Sequence, residues 1–171
     1  MILQYLKKKE NKEQIIATQQ YKKILSESTS FLNNNKFFKV KDFKTSFEIV
    51  CIFLIMFIRK NLLNDDRSFY LKVNDELVSL FISDLDETLR EKGIGDMSIG
   101  KYVKSYVKKF YFRISKFPKD NNLYKNQTFI DYLRLTDLIE NDEYIKVSRI
   151  FNDKFNDFIS YDNLHRDNLK N

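Results

Sequence analysis

Apolar positions recur at helical spacing along most of this chain. Residues 1–30 are polar, with Ile15, Ile16, Tyr21, Ile24 and Leu25 scattered among them. That pattern predicts one amphipathic helix, ended by Ser26–Ser30. Asn33-Asn34-Asn35 reads as a loop, and Phe37, Phe38, Val40 and Phe43 beyond it are expected to dock on the core. A second helix is predicted over Thr45–Leu63, with Ser46 as a cap and the run Ile49–Ile58 apolar on every side. A helix apolar all round needs other helices about it. Asn64-Asp65-Asp66 breaks it.

A third helix is predicted from an N-cap at Asn74, with the stripe Leu77, Leu80, Phe81, Leu85 and Leu89. Asp75 and Glu76 then fall in its first turn, Arg90 in its last, and Gly93 stops it as a C′ glycine. Ser98 reads as the cap of a fourth helix, striped by Ile99, Tyr102, Val103, Tyr106, Val107, Phe110, Tyr111 and Ile114. Phe117-Pro118 ends it, because the residue before proline avoids the helical region. Two more helices are expected over Thr128–Glu140 and Asp142–Ile159, with a frayed tail from Asp162. The pattern therefore predicts an all-α fold of about six helices around Thr45–Leu63, in a single domain over 1–171.

Composition adds little to this and contradicts none of it. With 3 Gly and 1 Pro, the turns of an all-β fold are missing. Sixteen Phe and ten Tyr supply bulk for a core. The apolar run Ile49–Ile58 is about half the ~20 residues of a membrane span and is flanked by Lys44, Glu48, Arg59 and Lys60, so a buried helix is the better reading. One cysteine, Cys51, excludes an internal disulfide and suits a reducing compartment. The net charge of +6 draws a chain toward nucleic acid, ribosomes or anionic membrane. The abundance of Lys, Asn, Ile, Phe and Tyr also follows from A/T-rich coding, which accounts for much of that charge.

Catalytic constellations are poorly represented. The lone His165 lies in the polar tail, and Cys51 lies in an apolar run where thiols are inert packing groups. No CxxC, HExxH or GxxxxGK[ST] motif is present. The expectation is a non-enzyme with no cofactor and no metal. The richest polar group is acidic: Asp84, Asp86, Glu87, Glu91 and Asp96. Asp86 and Arg90 are four apart and can pair on a helix. Asp84 falls near the apolar face. It either accepts hydrogen bonds from a neighbouring helix, the preferred reading, or awaits a partner's cation. On the fourth helix Lys101, Lys104, Lys108, Lys109, Arg113 and Lys116 interleave with aromatics. A core stripe with a solvated face explains that pattern, and nucleic acid is the less economical reading.

The stretch from Phe81 to Lys101 resembles the signature of the ubiquinol–cytochrome c chaperone family. The resemblance is carried by Asp84 and Asp86, then Leu89-Arg90-Glu91, then Gly93-Ile94-Gly95-Asp96, then Lys101. Lys109-Phe110-Tyr111-Phe112-Arg113 is similar to the family's Phe-Tyr-Gly-Arg, and Phe47-Glu48-Ile49 and Arg59-Lys60 to the ends of its apolar helix. It covers about 45–118. Phe53 stands where the family often has His, and Phe112 where it has glycine.

The resemblance implies a helical assembly chaperone for ubiquinol–cytochrome c reductase (respiratory complex III), with newly made cytochrome b as client. Some members work with a small helper protein and near the ribosome. The Lys-rich start with Glu10 and Glu13 is unlike an import sequence, so a bacterial member is expected. Its expected place is the cytoplasm, with peripheral contact at the inner membrane. The candidate partner-binding residues are Asp84, Asp86, Arg90, Glu91, Gly93, Gly95, Asp96, Lys101, Tyr111 and Arg113. The expected site brings Arg90, Glu91 and Asp96 together beside Lys101, with Tyr111 and Arg113 on the same or an adjoining surface. The alternative is an RNA- or ribosome-associated helical protein, and a third reading is a helical subunit of a larger complex.

Overall fold

The computed structural model describes residues 11–38, 40–140 and 142–167, with side chains described through 160. Six helices make up an all-α domain: α1 (Lys12–Asn34), α2 (Phe43–Leu62), α3 (Arg67–Glu91), α4 (Asp96–Lys116), α5 (Gln127–Thr136) and α6 (Tyr144–Asp167). Among the described residues no strand forms, and extended pairing is limited to an isolated bridge between Phe38 and Ile139.

α2 is the axis of the fold. Ile52, Phe53, Leu54 and Met56 are all fully buried. Successive residues of a helix point about 100° apart, so burial of that run requires cover from several sides. α1, α3, α4 and α6 supply it. The cover is largely aromatic: Phe31 of α1 stacks on Phe151 of α6 at 4.5 Å and meets Phe53 edge-on at 5.6 Å. That placement explains why α1 runs through Ser26–Ser30 to Asn34 rather than ending there. Ser28 and Phe31 are buried on its inner face, and continuing the helix keeps them there. Asn33 and Asn34 are accordingly helical, not loop. The first ten residues of the expected helix lie outside the described residues. α1 starts with a reciprocal capping box between Asn11 and Gln14. Phe37 and Phe38 are buried as expected, whereas Val40 is 58% exposed.

Three helix starts differ from expectation, two of them because a different side-chain oxygen takes the free amides. Asp42 caps α2, accepting from the Thr45 amide at 2.8 Å, while the Ser46 hydroxyl donates back to the Asp42 carbonyl. Asp66 caps α3 through the Phe69 amide at 3.0 Å, so that helix begins seven residues before Asn74. Asn74 is instead a buried mid-helix amide. It accepts from Asn61 Nδ2 at 2.7 Å and donates to the Ile58 carbonyl at 3.2 Å. Asn61 in turn exchanges two hydrogen bonds with Gln20 of α1. A buried carboxamide without such partners is costly, and this chain of amides satisfies three helices at once. The third start is that of α4, whose N-cap is Gly95. Ser98 is its third residue, and its hydroxyl donates to the Gly95 carbonyl.

The last two helices also shift. α5 stops at Thr136 because Asp137 adopts a left-handed conformation, φ 54°. The Glu140 amide then donates to the Phe37 carbonyl, tying the α5–α6 connection to the segment before α2. α6 begins at Tyr144 and its backbone stays helical to Asp167, beyond the expected end at Ile159. The remainder of the expected frayed tail, 168–171, lies outside the described residues. No helix is long and apolar enough to cross a membrane among the described residues.

Candidate interaction site

Besides the amide chain of Gln20, Asn61 and Asn74, three polar junctions between helices involve expected site residues. The first is the turn between α3 and α4. The Gly93 amide donates to the Arg90 carbonyl and the Ile94 amide to the Leu89 carbonyl, at 2.8 and 3.2 Å. This is the paired closure of a Schellman motif. Gly93 stands at φ +87°, where a side chain is strained whatever the space around it. Leu89 is buried and Ile94 packs against the core, which supplies the apolar contact such a turn commonly makes. Across the turn Arg90 pairs with Asp86 at 2.5 Å and with Asp96 on the first residue of α4. Hydrogen bonds to Asp86 and then Asp96 hold the guanidinium above its ordinary pKa. Asp96 also places negative charge on the first turn of α4.

The second place is between α1 and α3. Asp84 accepts a hydrogen bond from the Tyr21 hydroxyl at 2.8 Å. Burial, with help from the Asp84 hydrogen bond, pushes the Tyr21 phenol far above its usual range, so it stays a donor. The preferred reading of Asp84, an acceptor for a neighbouring helix, holds, although the donor is a tyrosine.

The third place is the most deeply set. Glu48 of α2 is fully buried, and Arg113 of α4 meets it with two hydrogen bonds, Nε to Oε2 at 2.8 Å and Nη2 to Oε1 at 2.7 Å. Lys109, one turn earlier on α4, approaches the same Oε1 at 2.6 Å. Such a fork-to-carboxylate pair is strong and fixes direction. Burial alone would pull the Arg113 guanidinium down. The bonds to Glu48 outweigh that and hold it above its ordinary value. Beside the pair, burial pushes the Cys51 thiol well up, and the Glu48 carboxylate adds to this. Cys51 is therefore a protonated packing group. Tyr132 of α5 is also fully enclosed, and burial raises its phenol likewise.

These contacts divide the expected site residues. Of the expected group Arg90, Glu91, Asp96 and Lys101, Arg90 and Asp96 meet across the turn, with Asp86, Gly93 and Gly95 beside them. Glu91 and Lys101 are exposed near it, but no ion pair draws either of them in among the described residues. Tyr111 is 53% exposed on the outer face of α4. Arg113, two residues on, is 5% exposed and turned inward to Glu48, so it does not share a surface with Tyr111. Two residues advance a helix by about 200°, which puts neighbours of this spacing on opposite sides. Phe53 is buried in the aromatic core, and Phe112 stands on the outer face of α4 with Lys116 over its ring at 5.5 Å.

Sequence reasoning did not single out Glu48, Lys109 or Tyr21 as members of polar junctions. The one signal for Glu48 was a carboxylate placed next to a long apolar run. A charge there must be paired once the helix is covered. No group of three or more His, Cys, Asp or Glu side chains suited to a metal occurs among the described residues.

Fold and junctions together define an all-helical scaffold in which charged pairs tie α4 to α2 and to α3, and an amide chain ties α2 to α3. Those three helices are also where the chain is similar to known proteins. The family model described as Ubiquinol-cytochrome C chaperone matches residues 37–119. The match spans just under half of the chain, so over α2, α3 and α4 this chain is similar to that family. No curated protein and no solved structure matches the chain.

Proposed function

We propose that this protein assists assembly of ubiquinol–cytochrome c reductase by binding newly made cytochrome b. The observation that carries the proposal is the family match over 37–119, which takes in α2, α3 and α4 and both ends of the Glu48–Arg113 pair. The geometry is consistent with a chaperone's task. The buried Glu48–Arg113 pair fixes α4 against α2, and a surface held in place before binding loses less on binding. Work of this kind needs contact area with a few anchoring side chains and no bond-making step.

Deletion of the gene tests the reading. Cytochrome b and assembled reductase are expected to fall while other respiratory subunits persist, read by immunoblot and by the haem b spectrum of membranes. Normal reductase in the deletion strain would overturn it. Affinity capture from detergent-solubilised membranes, read by mass spectrometry, then identifies the client subunit and any helper.

A further inference from the structure

Only Ile99, Phe110 and Arg113 of α4 are buried, although the helix runs for 21 residues. The side turned away from the core carries Met97, Lys101, Lys104, Lys108, Tyr111 and Phe112. All six are exposed, Met97 completely so. Their spacing puts them within one broad stripe of the helix surface. After Asp96 the helix has no acidic residue, and no ion pair neutralises Lys101, Lys104 or Lys108 among the described residues. Lys109 and Arg113, which do have a carboxylate, point the other way.

We propose that this outer face of α4 rests on an anionic lipid surface. Three lysines in a row on one face match a layer of negative headgroups. Met97, Tyr111 and Phe112 stand among them and fit the boundary between headgroup and acyl chain, where apolar and aromatic side chains of interfacial helices sit. A phosphate backbone would account for the lysines and leave exposed Met97 without a role. The face is also a single convex helix side. Clefts between α2 and α3 and beside α6 do not include these residues. A flat, extended partner suits a convex stripe better than a peptide needing a groove. The proposal is independent of the client, because the chain alone is scored.

The test is flotation of the full-length protein with vesicles of phosphatidylcholine, with and without about one-third phosphatidylglycerol. Binding is expected with the anionic vesicles and not with the neutral ones. Each lysine near such a surface contributes about fivefold. Lys101→Gln/Lys104→Gln/Lys108→Gln should therefore bind about a hundredfold more weakly, with an unchanged thermal melt. Tyr111→Ser/Phe112→Ser should retain vesicle binding at low salt and lose it at 0.5 M, since only the screened part remains. Absence of binding to anionic vesicles overturns the proposal. So does equal binding by the lysine variant, or salt behaviour unaltered by removing the two aromatics. Tight binding of the wild type to polyuridylate that the lysine variant loses, with no vesicle binding, would assign the face to RNA instead.

Discussion

Replacing Arg113 by Met leaves the fully buried Glu48 carboxylate facing an apolar side chain. The guanidinium now gives it two hydrogen bonds, at 2.8 and 2.7 Å. A hydrogen bond to a charged group contributes about 1.5–3 kcal/mol each. Removing one member of a buried pair is measured elsewhere at about 3–5 kcal/mol. Lys109 remains at 2.6 Å from Oε1, and its side chain is 31% exposed, so it compensates only in part. We therefore expect Arg113→Met to lose about 3–5 kcal/mol of stability. For a chain of this size that lowers the melting temperature by roughly 6–20 °C. Glu48→Leu/Arg113→Met removes the orphaned charge as well and frees Lys109 to turn toward water. It should return to within about 1–2 kcal/mol of the wild type. Urea unfolding followed by circular dichroism reads both, provided the m-value is unchanged. A loss below about 1 kcal/mol in the single variant would refute the reasoning, because a charge buried without its partner cannot be that cheap. So would a double variant whose loss is the sum of the two single losses, because paired residues must couple.

Further outcomes follow from the caps and turns. Gly93→Ala, at φ +87°, should cost about 1–2 kcal/mol, whereas Gly95→Ser, at φ −71° on an N-cap with no side-chain hydrogen bond, should be neutral or slightly stabilising by thermal melt. Asp42→Ala should cost about 0.5–2 kcal/mol through loss of the α2 cap. Hydrogen bonds from Thr45 hold the Asp42 carboxyl below its ordinary range. Its contribution is therefore present above the unfolded carboxylate pKa and lost as pH falls through the lowered folded value. The stability difference between wild type and Asp42→Ala should shrink below about pH 4, read by melts across pH 2–7.

The central helix was legible because its apolar run exceeds what one buried face needs. The Gly93 stop was legible because left-handed backbone selects glycine locally. Boundaries set by choice among several polar residues were not. Asn74 is followed by acidic residues and has the look of a cap, yet it is held mid-helix by Asn61 and Ile58, partners that local spacing does not reveal. Asp66, the true cap, was part of the expected break between helices. The candidate site shows the same division. Asp86, Arg90 and Asp96 lie within eleven residues of one another along the chain, and their meeting follows from one helix turn and one glycine. Glu48 and Arg113 are 65 residues apart, and Tyr21 and Asp84 are 63 apart. Such pairings depend on how whole helices pack, which periodicity does not determine. Arg113 was expected on the same surface as Tyr111 or an adjoining one, whereas a step of about 200° places it inside.

The Glu48–Arg113 pair also bears on the order in which the chain is made. α2 is synthesised before α4, so for an interval its carboxylate has no guanidinium to meet. During that time the most apolar segment of the protein carries an ionised group near its start and Arg59 and Lys60 near its end. A charge within an apolar helix weighs against transfer into hydrocarbon. The carboxylate that later fastens α2 to α4 thus adds to the cost of placing the nascent segment in a bilayer. It becomes a liability only if α4 fails to arrive.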